Sequence, residues 1–271
     1  MTSNDKISKE WDNAGESWAN FVREGKDYYR EEMNKPAFFK VIGDVKGISI
    51  LDLACGEGDI TRILAKMGTK VVGADYSPKM IEFARHKEAA DGLGIDYYHS
   101  DAAKLEKFSN DQFDLVTCFM ALMDIESYEE AIFEVARVLK TKGRFIFSIP
   151  HPCFEWGACT DGEEFARWRF EEGTENALHL EIKNYFHTCR SEVSWTTNRL
   201  IKPFMTTSFH RTLTEYFNSL SDSGFVVARL VEPKPTLRGV SKYLSLKKHL
   251  KIPQSIIIEA IKWRTVEKKR L

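Results

Sequence analysis

The chain has 271 residues, enough for one large domain or one domain with a substantial insertion; its 43% apolar and 12% aromatic content excludes disordered and collagen-like classes. No apolar run approaches the ~20 residues a membrane helix needs, and the polar opening "MTSNDKISKEWDNAGESW" lacks a signal-peptide core, so a cytoplasmic protein without membrane insertion is expected. The net charge of -1 hides an asymmetry: from Lys234 onward 11 Lys/Arg face only Glu259 and Glu267, leaving 28 basic and 38 acidic residues before it.

In chain order, a helical N-terminal region precedes an alternation of strands and helices from about residue 48 to 150. "ISILDLA" reads as a first strand. "DITRILAKMG" then puts Ile60, Ile63, Leu64 and Met67 on one helical face and stops at Gly68. "KVVGAD" is a second strand, and "SPKMIEFARHKEAA" a helix with Ser77 as N-cap and Pro78 at its first position. "IDYYHSD" and "FDLVTCFMAL" are strands three and four. "SYEEAIFEVARVLK" opens on a Ser127–Glu130 capping box, and "KGRFIFSIP" is a fifth strand. Short apolar runs separated by helices predict a parallel sheet covered on both faces.

From about 151 to 208 the alternation stops, and ten aromatics fall between Phe154 and Phe209. A helix around "RTLTEYFNSLSDSG" and the strands "FVVARLVEP" and "SIIIEAIKW" then read as a closing hairpin of the same sheet. The aromatic block is therefore an insertion above the strand ends. Five cysteines, an odd number without regular spacing, point to free thiols in a reducing compartment. No CxxC pair occurs and no metal site is expected.

Ligands of open α/β sheets bind beyond the carboxyl ends of the strands. Asp52, Asp75 and Asp101 follow strands one, two and three. The first turn reads A-x-G-x-G, with Ala54, Gly56 and Gly58; a dinucleotide fingerprint would need a third glycine where Thr61 stands. No G-K-[ST] follows, which excludes a P-loop. Asp59 at the helix N-terminus, with Asp52 nearby, would repel a diphosphate and suits a ligand carrying an ammonium, a sulfonium and a ribose.

With these residues in view, 48–150 resembles a class I S-adenosylmethionine (SAM)-dependent methyltransferase of the small-molecule kind related to ubiquinone/menaquinone-biosynthesis enzymes. The likeness rests on "ILDLACGEGDIT", "VVGADYSPKMIEFAR", "DAAKL", "FDLVTCFMALMDI" and "VLKTKGRFIFSIPHP", in order. It implies an α/β, Rossmann-like, doubly wound, seven-stranded, mostly parallel sheet with an antiparallel closing strand. The domains expected are an N-terminal helical lid (1–46), a SAM-binding core (47–150), an aromatic-rich insertion or acceptor cap (151–208), and the end of the core sheet (209–271). It also implies site roles. Asp52 and the Ala54–Gly58 turn would hold the methionine part of SAM, and Asp75 both ribose hydroxyls. Tyr76 and Met80 would flank the adenine, Asp101 and Ala102 would meet its amino edge, and Phe119 and Met120 would line the floor beside the sulfonium. Ala54 stands where the family commonly has glycine. In "WDNAGESWANFVREGKDYYREEMNKP", which resembles the family's lid helix, Trp18, Tyr28 and Tyr29 offer faces to a sulfonium.

Methyl transfer from a sulfonium depends chiefly on alignment, and a base is needed only where the acceptor must lose a proton. His151, directly after strand five, and His210 are the candidate bases, with Tyr185 and Asp124 behind them. Trp156, Trp168, Tyr185, Phe186 and Trp195 are expected to roof a flat or apolar acceptor. The expected function is methylation of a small organic acceptor. Alternatives are an RNA or protein methyltransferase using the basic C-terminal part, a non-catalytic SAM-binding protein, and, least favoured, an NAD(P) oxidoreductase. Nucleic acid is not the expected partner, and the oligomeric state is open.

Overall fold

The computed structural model describes residues 3–155, 157–174 and 176–265. Trp156, Glu267 and the basic residues 268–270 lie outside them. A long helix α1 (Ser3–Arg23) leads through a π-helical turn (Arg30–Asn34) into α2 (Lys35–Ile42). Strands β1 (Ser49–Leu53), β2 (Lys70–Asp75), β3 (Asp96–His99), β4 (Phe113–Phe119) and β5 (Leu139–Pro150) then alternate with helices α3 (Asp59–Lys66), α4 (Pro78–Asp91) and α5 (Tyr128–Val138). The alternation is the one the apolar runs predict, with α5 ending and β5 starting earlier than the Lys-Gly turn implied.

The insertion is strand-built, which the lack of periodicity did not reveal. It holds β6 (Gly157–Ala158), β7 (Glu164–Phe170), β8 (Ala177–Ile182), β9 (Cys189–Trp195) and β10 (Phe204–His210). These form a three-stranded sheet, β6-β7-β8, and a β9-β10 pair. Their exposure explains the silence of the sequence: β8 and β9 each bury at most one side chain, so no two-residue alternation is imposed. The chain returns through α6 (Leu213–Asp222), β11 (Phe225–Val231), α7 (Leu237–Lys242) and β12 (Ser255–Lys262).

The main sheet has the order β11-β12-β5-β4-β1-β2-β3. β1 to β5 pair in parallel, and β12 slots antiparallel between β5 and β11. The sheet separates two apolar layers. Leu51, Leu53, Val116 and Phe145 pack with α5 and α6 residues on one face. Ile50, Leu115 and Ile146 pack with α2, α3 and α4 residues on the other. Burial on both faces is why these strands read as unbroken apolar runs. Ser77 caps α4 by accepting from the Met80 N–H, as expected. Ser127 makes no side-chain cap bond, and the reciprocal box forms at Thr212–Glu215 instead.

The cysteine reading is corrected. Cys159 and Cys189, 30 residues apart in sequence, are disulfide-bonded, while Cys55, Cys118 and Cys153 are free thiols. Strand pairing brings the first two together: Cys159 forms an isolated antiparallel bridge with Ser191, two residues from Cys189. Among the described residues, no helix is long and apolar enough to cross a membrane.

Candidate active site

A cavity of about 300 Å³ opens at the carboxyl ends of β1, β2 and β4. Its lining includes Trp18, Asp52, Ala54, Gly56, Asp75, Tyr76, Met80, Asp101, Ala102, Phe119 and Met120, all predicted from sequence. The turn after β1 is bent sharply enough that Ala54 adopts φ 52° and Gly56 φ 57°, and Met120 beyond β4 adopts φ 50°. Left-handed alanine and methionine are strained by about 1 kcal/mol or more, and such strain clusters at functional sites.

Each acidic residue is held in its own way. Asp52 is buried and accepts 2.6 Å and 2.9 Å bonds from the Thr61 and Thr117 hydroxyls. Burial pushes its pKa up to about 6, with the two hydroxyls pulling the other way. Thr61, noted from sequence only as the missing third glycine, is thus a partner of Asp52. Asp75 accepts one backbone N–H on each oxygen, from Gly56 at 2.8 Å and Ser77 at 2.8 Å. Burial raises its pKa, opposed by those two N–H groups. Each oxygen keeps a lone pair for a ligand hydroxyl. Asp101 spends Oδ1 on the Ala103 N–H at 2.9 Å, an Asx-type turn, while still lining the cavity.

Gly58 does not line the cavity. At φ 85° it occupies the N-cap of α3, and a side chain there would strike the Tyr97 ring. Its role is to let the helix approach β3. The electrostatics at Asp59 also differ from the expectation. Arg30 reaches it at 3.0 Å and Lys35 at 3.1 Å, and against the cost of burial these cations hold its carboxyl below the usual range. Its repulsion toward an anion is therefore compensated, and Arg30 itself lines the cavity, 4.5 Å above the Phe119 ring.

Sequence reasoning missed Trp11, Asp27, Arg30, Asn34 and Gln254 as lining residues. Arg30 and Asn34 are presented by the π-helical turn, a departure from α-geometry that often marks functional segments. Helix α1 lies across the opening. Ser8 donates to the Tyr76 carbonyl, Asp12 accepts from Ser77 and Lys79, and Ser17 bonds the Lys202 carbonyl. Trp18 meets Trp11 and Trp195 edge-on, at 5.5 Å and 5.3 Å. Of the described insertion aromatics singled out from sequence, only Trp195 lines the cavity. Phe186 is exposed, and Trp168 packs at 5.9 Å on His249. Of the tyrosine pair near the lid, Tyr29 lines the cavity and Tyr28 stacks on Tyr243.

Neither predicted histidine lines the cavity, and each is committed elsewhere. His151 Nδ1 accepts from the Cys153 N–H at 3.2 Å, which leaves Nε2 to donate to Glu232 at 3.1 Å. Burial lowers its pKa. His210 stacks on Phe165 at 4.5 Å, donates Nε2–H to the Tyr185 carbonyl at 3.0 Å and faces Glu155 through Nδ1. Although burial opposes its charge, Glu155 raises its pKa. The Tyr185 hydroxyl accepts from the Leu213 N–H. Asp124, the remaining candidate, does line the cavity. Burial pushes its pKa up to about 8, opposed by a hydrogen bond with Ser208 and by Arg211.

The basic C-terminal part is partly consumed by the fold. Lys262 is buried, donating to Asp111 at 2.8 Å and to the Leu139 carbonyl at 2.7 Å. Arg238 pairs with Glu32 at 2.6 Å.

Residues 51–147 match the methyltransferase domain family. A S-adenosylmethionine-dependent methyltransferase from Mesorhizobium loti superposes with a TM-score of 0.66 at 27% identity, covering 83% of this chain and 96% of its own. Residues 51–147 thus carry a methyltransferase domain of the class I S-adenosylmethionine-dependent kind. A demethylmenaquinone methyltransferase from Clavibacter sepedonicus is 36% identical over 44% of this chain and 49% of its own length. A ubiquinone biosynthesis O-methyltransferase from Bartonella bacilliformis is 31% identical over 45% and 50%. The matched segment thus spans about half the length of each of these two relatives. The cavity fits SAM: the Gly56 backbone is bare on the cavity side, with only the Trp18 indole 3.9 Å from where a side chain would stand.

Proposed function

We propose that this methyltransferase transfers a methyl group to a small, flat organic acceptor bearing an ionisable hydroxyl. One observation carries the reading: a single cavity is lined by Asp75 and Asp101, by the aromatic side chains Trp11, Trp18 and Trp195, and by Asp124. SAM supplies an activated methyl carbon on a sulfonium. Asp75 accepts from the ribose hydroxyls through its two remaining lone pairs, and Tyr76 and Met80 sandwich the adenine, with Asp101 and Ala102 at its edge. Arg30 gives the methionine carboxylate a cation, and Asp52 with the Ala54–Gly56 turn faces its ammonium. Phe119 and Met120 form the floor. The tryptophans exclude water and orient the acceptor, and Asp124 takes its proton. Alignment supplies most of the rate, with effective molarities of ~10⁵ M or more attainable.

The test is formation of S-adenosylhomocysteine on incubation with SAM and a panel of hydroxylated aromatic acceptors, with bulk RNA as the competing substrate. Turnover with a panel member, lost in Asp75→Asn, is expected. Methylation of RNA alone would overturn the acceptor assignment, and turnover by neither would favour a non-catalytic SAM-binding protein.

A further inference from the structure

Beyond the cavity, one cluster in the insertion has a donor set that methyl transfer does not use. Cys159, Cys189 and His187 each offer a ligand atom, and these atoms all lie within 4.8 Å of one another. The three residues come from two stretches: Cys159 from the bridge beside β9, and His187 and Cys189, two residues apart, from the turn Asn184–Thr188 and the first position of β9. A carboxylate stands behind the imidazole, with Asp161 Oδ2 2.9 Å from His187 Nε2. That pairing orients metal-bound histidines and raises their basicity.

We propose that in the reduced chain Cys159, Cys189 and His187 bind Zn²⁺, and that the disulfide is the oxidised, metal-free form of the same site. Two thiolates and an imidazole are the donors Zn²⁺ favours, with water completing four-coordination. A cellular dithiol passes two electrons and two protons to the disulfide and becomes a disulfide itself, which breaks the S–S bond and leaves two thiols. Zn²⁺ then displaces both thiol protons to solvent as two Zn–S bonds form. A low-molecular-weight disulfide reverses the change: it takes two electrons, leaves as two thiolates, and the S–S bond re-forms as Zn²⁺ departs. The missing CxxC pair concealed the site because strand pairing, not local spacing, brings Cys159 to the His187-x-Cys189 stretch.

The site would clamp the turn after β6 to the start of β9. β9 pairs with β10, whose Thr207 N–H bonds Glu10 of α1 at 2.8 Å. The metal therefore sits on the strand pair that meets the lid, outside the cofactor cavity.

The experiment uses full-length protein reduced with a phosphine, stripped with chelator and titrated anaerobically with Zn²⁺ and Co²⁺. About one metal per chain, with a thiolate-to-Co²⁺ charge-transfer band, is expected. Cys159→Ser and Cys189→Ser should abolish both signals, Cys153→Ser should leave them intact, and His187→Ala and Asp161→Asn should each weaken binding about 10- to 100-fold. Should the serine variants fail to fold, the wild-type Co²⁺ spectrum and release of Zn²⁺ by oxidised glutathione carry the test. A reduced wild-type chain that binds no metal, or binding unchanged by His187→Ala, would overturn the proposal and leave a plain disulfide.

Discussion

Asp124 carries the heaviest chemical assignment at the scale of single residues. Its carboxyl is held near pKa 8 by burial, so below that pH most of the protein has it protonated and unable to accept a proton. Turnover with a hydroxylated acceptor should therefore climb with pH up to and beyond about 8. Asp124→Asn should lower kcat about 100-fold or more and flatten that rise, with SAM affinity preserved in calorimetry. Stability gives an independent reading. An aspartate in the unfolded chain titrates near ~3.9, well below the folded value. Between those two pH values the folded state binds the extra proton, so stability falls as pH rises from about 4 to 8. Chemical denaturation across that window should show the decline in the wild type and less of it in Asp124→Asn. Asp124 was legible in the sequence only as an acid beyond strand four; its fit to the cavity depends on Ser208 and Arg211, which lie more than 80 residues later. His151 and His210 stand outside the cavity for the converse reason. Their neighbours in sequence gave no sign that Glu232 and Glu155 would close over them.

At the scale of elements, the strand–helix alternation was readable because each core strand is buried on both faces and each helix on one. The insertion was not, since β8 and β9 are largely solvated and its turns carry no periodic signal. Among its described aromatics only Trp195 reaches the cavity, and it does so from the last position of β9 while stacking on Phe204 of β10 at 5.6 Å. If that strand pair roofs the acceptor, Trp195→Ala should raise the acceptor KM about tenfold, the worth of one well-buried aromatic contact, with a smaller change in SAM affinity. An equal loss of both would show that Trp195 acts on the lid as a whole. Helix α1 was expected as a lid, yet its anchors, Asp12 on Ser77 and Lys79 and Glu10 on Thr207, join residues far apart in sequence that no periodicity connects.

Across the whole molecule, the N-terminal helices are fastened to the sheet by Arg144. Its guanidinium donates to the Ile42 and Val41 carbonyls at the end of α2 at 3.0 Å and 2.9 Å, and to Glu259 of β12 at 2.7 Å. Removing it would orphan two carbonyls and leave Glu259 to Arg229 at 3.4 Å. Arg144→Ala should cost about 3 kcal/mol of unfolding free energy in denaturant titration while leaving SAM binding intact in the protein that remains folded.

The position of β12 bears on how the chain is made. On the ribosome, β5 emerges with one flank unsatisfied, and its neighbour on that side is encoded more than a hundred residues later. At ~5–20 residues per second that edge stays open for on the order of ten seconds. β11 emerges in the meantime without a sheet partner, because β12 is the strand it pairs with. The last strand therefore acts as a keystone. Until it arrives, the nascent protein offers an apolar ladder to any other extended segment, and it is then that a holding chaperone would have most to do.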